Sequence, residues 1–186
     1  MLADLRAQLA VNQRGIALVQ ELIKQYGLKT VQAYMNYVQA NAKAAVREMF
    51  KSVGRSISSK SNELATIEEE NYMDDGSIIH LKLSIDSNKG EAIFDFAGTS
   101  AEVYGNWNAL EAITTAFVIY CVRCLVNVDI PLNQGCLAPM KILIPEGSFL
   151  SPTDTVVVVG GNVLTSQRIT DVIFIAFQPL LVHKDV

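Results

Sequence analysis

The chain has no local concentration of lysine and arginine. Its 15 basic residues are scattered among 19 acidic ones, for a net charge of -4. Neutralising a nucleic-acid backbone takes basic side chains gathered on one face, so nucleic acid is excluded as the main partner. A long apolar run is also missing: the stretch from Ala116 to Val126 is short for a bilayer and carries Arg123. Residues 1–6 show neither the basic start nor the apolar core of an export signal. The expectation is a cytoplasmic protein without membrane contact. Cysteine is scarce, with three residues. An odd number without an export signal fits free thiols in a reducing compartment better than a disulfide framework. Charge is sparse as well, at 18% of residues against about 25% in ordinary domains, while half the residues are hydrophobic. In 186 residues, room for one substantial core, this balance implies either a large core or apolar surface facing a partner.

What is present divides the chain into a helical start and a mixed remainder. Leu2, Leu5, Leu9, Ile16, Val19, Leu22, Ile23 and Tyr26 recur at steps near three and four, the spacing of one helical stripe, and Gly27 is a natural stop. Val31, Tyr34, Val38, Ala42, Ala45, Val46 and Met49 form a second such set, so residues 1–51 predict a helical hairpin. Residues 52–76 are rich in Ser, Lys, Asn and Glu and predict a loop or linker. From residue 77 to 177 a core segment follows. Ile79, Leu81, Leu83 and Ile85 alternate with polar residues as in a half-buried strand, and Asp86 to Gly90 turn the chain into Ala92, Phe94 and Phe96. Residues 109–126 predict a mostly buried helix, and 140–144 and 156–159 short strands. A last helix begins near Thr165 or Ser166, which can cap it, and runs towards Phe177 until Pro179 breaks it. The class is α+β, with residues 178–186 as a separate tail.

Three places offer chemistry. At 156–168 (VVVVGGNVLTSQR) an apolar strand enters Gly160-Gly161 and a helix start, where backbone N–H groups can hold an anion, with Asn162, Thr165, Ser166 and Arg168 as further donors. A plain strand-to-helix turn needing glycine for positive φ explains the same residues, and no nucleotide-loop motif is present. At 94–100 (FDFAGTS), Asp95 ends a strand before a turn bearing Thr99 and Ser100, and Asn106, Trp107 and Asn108 follow. Asp95 and the two Asn side chains either orient a substrate or metal, or face solvent and make local turns. Cys121 and Cys124 are spaced as C-x-x-C without a second pair. Adding Cys136 with His80 or His183 gives no standard zinc spacing, so no metal is expected. Cys136, in the NQGC stretch with Asn133, is placed in a loop where reactivity is possible, and His80 on the solvated side of its strand. Asp74-Asp75-Gly76 reads as an acidic turn.

Four ordered segments, FDFAGTS (94–100), GNWNA (105–109), IPLNQGCLAP (130–139) and VGGNVLTSQR (159–168), resemble the hydantoinase-B/5-oxoprolinase family. DLRAQLAVNQRG (4–15), YGL (26–28), VQAYM (31–35) and MDDGS (73–77) are similar to its eukaryotic 5-oxoprolinase branch, so the likeness covers residues 4–177. The resemblance implies a mixed α/β segment of a larger hydantoinase-B-type domain and ATP-dependent opening of 5-oxoproline to glutamate, in the cytosolic turnover of glutathione. It implies ATP, Mg²⁺ and K⁺ for the whole enzyme and none bound by this chain alone, a separate hydantoinase-A-type portion that phosphorylates the lactam oxygen, and a homo-oligomer. The residues it marks for substrate or anion binding are Asp95, Thr99, Asn106, Asn108, Asn133, Gly160, Gly161, Asn162, Thr165, Ser166 and Arg168, without assigning a catalytic group. The ATP-binding portion has no counterpart here, and the QPLLVHKDV tail departs from the family. The expectation is therefore a piece that is inactive alone. The alternatives are a non-catalytic product pairing with full-length subunits, or part of a hydantoinase or ketone carboxylase.

Overall fold

A computed structural model describes residues 2–57 and 64–181, without the side chains of 57 and 179–181. It contains helices α1 (Leu2–Tyr26), α2 (Leu28–Ile57), α3 (Glu111–Leu125) and α4 (Thr165–Leu181). Strands β1 (Ala65–Tyr72), β2 (Ile78–Asp86), β3 (Glu91–Asp95) and β4 (Met140–Leu143) form one sheet in the order β1-β2-β3-β4. The first two pairings are antiparallel and β3–β4 is parallel. The class is α+β. Among the described residues, no helix is long and apolar enough to cross a membrane.

The chain forms two compact units, Met1–Ala40 and Asn41–Val186. In the first, the two helices stand where the periodicity puts them, separated by Gly27, whose φ of 82° ends α1 in the left-handed region. The stripes do not bury one another as a hairpin requires, for α1 buries no residue.

The second unit holds the core. The alternation read in β2 is real: Ile79, Leu81, Leu83 and Ile85 are fully buried. In β3, Ala92 and Phe94 point the same way because the hairpin register sets Leu83 opposite Phe94 and Ile85 opposite Ala92. Ala42, Val46 and Phe50 from the end of α2, Val118, Cys121 and Val122 from α3, and Ile169, Val172, Ile173, Ala176 and Phe177 from α4 complete the cluster. Helix α4 packs on α3, β1 and β2. Phe94 links the layers, its ring centroid 6.4 Å from both Phe50 and Phe177.

Three expectations are corrected. Residues 52–76 are not simply a loop: α2 continues to Ile57, and β1 fills 65–72, while 58–63 lie outside the described residues. The strand was hidden because Glu68, Glu69 and Glu70 mask a two-residue alternation in which Ala65, Ile67, Glu69 and Asn71 take the more buried side. Residues 156–159 form no strand. The Val157 carbonyl accepts from the Asn108 side chain, and Val159 already belongs to a 3-10 turn over Val159–Asn162, so this backbone is paired with a loop instead of a sheet. Finally, α4 runs two residues past Pro179. In a last turn the missing N–H removes a single backbone bond, at an end where carbonyls are already unpaired. The tail expected at 178–186 therefore starts as helix, and its residues 182–186, with His183, lie outside the described residues.

Replacing Phe94 by Ala empties the space between the Phe50 and Phe177 rings. We expect a loss of about 3–5 kcal/mol, read as a lower urea midpoint with the slope unchanged.

Candidate functional site

Two motifs distant in sequence fold as one object. The Gly160 N–H donates to both the backbone oxygen of Asn106 (2.8 Å) and its side-chain Oδ1 (2.6 Å). Asn108 is completely buried: its Oδ1 accepts from the Val103 N–H (2.9 Å), and its Nδ2 donates to the carbonyls of Val103, Gly105 and Val157 at 2.8, 3.0 and 3.0 Å. The Thr165 hydroxyl donates to the Trp107 carbonyl. A Cβ at Gly160 would strike Asn106, and one at Gly161 would strike the Asn108 carbonyl and Ala109 Cα. Neither glycine has positive φ. They are required for close backbone approach, and the anion-loop expectation meets an N–H at Gly160 already occupied by Asn106 and one at Gly161 bonded to Val158. The hydroxyls expected to cap α4 act as donors to carbonyls instead, Thr165 to Trp107 and Ser166 to Asn162 (3.0 Å).

This lock carries a depression of 210 Å³ lined by Met73, Asp74, Asp75, Trp107, Leu164, Gln167 and Arg168. Here MDDGS, GNWNA and TSQR converge. Asp75 accepts from the Ser77 N–H (2.9 Å) and hydroxyl (2.8 Å), and these bonds, the backbone one foremost, hold its carboxyl below the usual carboxylate range. The Trp107 indole N–H is buried without a hydrogen-bond partner, and its influence on the Asp75 carboxyl, also downward, is the smallest of these. Arg168 Nη1 meets Asp171 at 3.2 Å, a half-exposed pair of little energetic weight that leaves most of its donors available. Asn162 is exposed, and its side chain makes no hydrogen bond among the described residues. The freely available donors beside the lock are thus Asn162, Gln167 and Arg168. Sequence reasoning passed over Gln167 and treated Asp74 and Asp75 as a solvated turn. The only hint of their place was the likeness of MDDGS.

The other marked residues lie elsewhere. Asp95 lines a separate, open depression of 390 Å³ with Ala97, Glu111, Thr115 and residues 142–145, and its Oδ1 accepts from the Ala97 N–H at 2.9 Å. Thr99 exchanges hydrogen bonds with the His80 backbone (3.2 and 3.3 Å), and Ser100 with Ile78, so this turn prolongs the edge of β2. His80 is half-buried below Gly98, with Nδ1 buried and unpaired, where a solvated ring was expected. Asn133 caps a 3-10 turn at Gln134–Cys136 by accepting from the Gly135 N–H (2.7 Å). Cys136, whose loop position left reactivity possible, is completely buried by this turn. Cys121 is buried too, and desolvation pushes its thiol up to about 12, whereas Cys124 is exposed. Among the described residues no three His, Cys, Asp or Glu side chains gather to hold a metal.

Two outcomes follow from this geometry. A thiol alkylating reagent at neutral pH should label Cys124 alone in the folded chain, with Cys121 and Cys136 labelled after denaturation, as read by peptide mass spectrometry. Gly161→Ala and Asn108→Ala should each lower stability by about 1–3 kcal/mol in denaturant titrations, the first from overlap and the second from buried carbonyls left unpaired.

The sequence matches the family described as Hydantoinase B/oxoprolinase over residues 1–185. It is 70% identical over 182 residues to 5-oxoprolinase 1 of Arabidopsis thaliana, covering 95% of this chain and 14% of that protein. It is 54% identical over 176 residues to 5-oxoprolinase of Dictyostelium discoideum, with 95% and 14% covered. The chain thus spans about one seventh of the length of these relatives. Its fold matches the ATP-dependent caprolactamase from Pseudomonas jessenii with a TM-score of 0.77 at 18% identity, over 94% of this chain and 29% of the other. By the family match and these identities, the chain belongs to the hydantoinase B/oxoprolinase family.

Proposed function

We propose that the chain forms part of an ATP-dependent 5-oxoprolinase that opens 5-oxo-L-proline to L-glutamate in cytoplasmic glutathione turnover, and that it does not turn over substrate by itself. The observation that carries this reading is the 70% identity, across almost the whole chain, to a relative about seven times longer that bears the 5-oxoprolinase name. An amide is a poor electrophile, and a phosphoryl group transferred from ATP to the lactam oxygen would expose the ring carbon to attack by water. The C–N bond then breaks with the ring nitrogen leaving as the amine, the acyl phosphate left behind is hydrolysed to carboxylate and phosphate, and donors aimed at the developing charge lower the barrier. Among the described residues beside the lock, Asn162, Gln167 and Arg168 are free to serve as such donors or to bind the substrate carboxylate, for which a guanidinium offers a two-pronged match. The lock formed by Asn106, Asn108, Gly160, Gly161 and Thr165 holds them in place.

The Gly160 N–H is taken up by Asn106 and the Gly161 N–H by Val158, so this reading assigns the implied ATP, Mg²⁺ and K⁺ to other parts of the enzyme. They belong to a hydantoinase-A-type portion, and the working enzyme is a homo-oligomer containing both portions.

The purified chain, given 5-oxoproline, ATP, Mg²⁺ and K⁺, should release no glutamate coupled to ADP; robust coupled turnover by it alone would sink the proposal. In a full-length relative, changing the residues matching Arg168 or Asn162 to Ala should lower kcat/KM at least about tenfold, roughly 1.4 kcal/mol of transition-state binding, with the thermal midpoint unchanged. Unaltered kinetics would remove the substrate role from this end of α4.

A further inference from the structure

Two groups of opposite charge border the depression beside the lock without pairing. Asp74 and Arg168 both line it, yet among the described residues the Asp74 carboxylate makes no hydrogen bond or ion pair. Its neighbour Asp75 is already spent on the Ser77 N–H and hydroxyl. The backbone accounts for the difference. A turn closes from the Gly76 N–H to the Met73 carbonyl (2.9 Å), and Asp75 braces its exit while Asp74, the first residue after Met73, keeps an exposed and unspent side chain. Arg168 spends one nitrogen on Asp171, in a half-exposed contact of small weight, and Gln167 makes no side-chain hydrogen bond among the described residues. Met73, Leu164 and Trp107 supply the apolar part of the lining.

We infer that this depression binds an α-amino acid as its zwitterion, with Asp74 taking the ammonium group and Arg168, helped by Gln167, taking the α-carboxylate. On the 5-oxoprolinase reading that ligand is L-glutamate, the ring-opened product, and Asp74 is the group that separates it from the lactam. The identity of the ligand rests on that reading, whereas the demand for an ammonium and a carboxylate together rests on the depression alone. Charge carries the argument. Before ring opening the nitrogen is an uncharged amide N–H; afterwards it is an amine that is protonated at neutral pH. Both forms carry the α-carboxylate that a guanidinium grips with two parallel bonds, so the ammonium is what tells them apart at this end. A carboxylate without a cation of its own gains a Coulomb attraction from the ammonium that the neutral N–H cannot supply. Other ligands leave part of the lining unused: a simple anion at Arg168 meets the negative charge of Asp74, and a simple cation at Asp74 meets the positive charge of Arg168. Size agrees, since 210 Å³ lies below the roughly 300–1,000 Å³ of sites for drug-sized ligands and suits a single small metabolite. Its methylene groups would rest on the apolar side chains. Glutamate then competes with the lactam for Arg168.

Trp107 is the only tryptophan of the chain, so its emission reports on this depression. In the full 186-residue chain, L-glutamate should change that emission saturably. 5-Oxoproline, and glutarate, which lacks the amine, should need concentrations at least about tenfold higher. Asp74→Asn should reduce glutamate binding to the level of 5-oxoproline and leave 5-oxoproline itself unchanged, while Arg168→Ala should weaken both. Because the Asp74 side chain is exposed and unbonded, the Asn variant should keep the thermal midpoint, which separates loss of the contact from misfolding. Titration calorimetry on the same samples records binding that leaves the indole emission unchanged. No glutamate binding by either method overturns the inference. So does glutarate or 5-oxoproline bound as tightly as glutamate, or a preference for glutamate that survives Asp74→Asn. The 5-oxoprolinase reading fails on different grounds, since it is judged by turnover in a full-length relative, and these titrations need neither ATP nor another portion of the enzyme.

Discussion

The backbone at Gly160 and Gly161 lies against the backbone of residues 106–109 with no room for a side-chain carbon between them. Most of what is distinctive in the second unit depends on that approach. It lets the buried Asn108 reach three carbonyls and an N–H at once, holds the start of α4 against the Trp107 carbonyl, and brings the Asp74–Asp75 turn, the indole and Arg168 around one depression. A buried amide satisfied at every bond fixes a loop more narrowly than apolar packing, because any shift leaves a desolvated polar atom without a partner. The residues with the appearance of a binding loop are mostly the fasteners, and the groups with free donors stand beside them.

That division recurs among the other polar residues. Asn133 and Asp95 each accept an N–H two residues ahead, and Thr99 and Ser100 extend the pairing of β2. Small polar side chains in loops turn first to the nearest backbone group, since such a bond orders few atoms. Cys121 and Cys136 follow a similar logic as small apolar fillers of the core, and burial raises the Cys121 thiol far enough to keep it protonated.

The two units handle apolar surface in opposite ways. In the second, alternating strand residues and three helices converge on Phe94 and close a core. In the first, a regular apolar stripe remains uncovered. The high hydrophobic fraction noted in the sequence therefore has two sources, one inside the fold and one on its surface.

By itself the sequence determined the family, through short ordered motifs, and the elements whose side chains repeat with a clear period: α1, α2, the β2–β3 hairpin, α3 and the beginning of α4. Periodicity is a local property and survives in one dimension. Where charge masked it, as in Glu68–Glu70 of β1, or where an apolar run had no sheet to join, as at 156–159, local reading failed. The roles of Asn108, Gly160, Gly161 and Cys136 were decided only by tertiary structure. Whether an amide is free or locked, a glycine is needed for its φ or for its missing Cβ, and a thiol is accessible or buried depends on what the chain brings back from about fifty residues away.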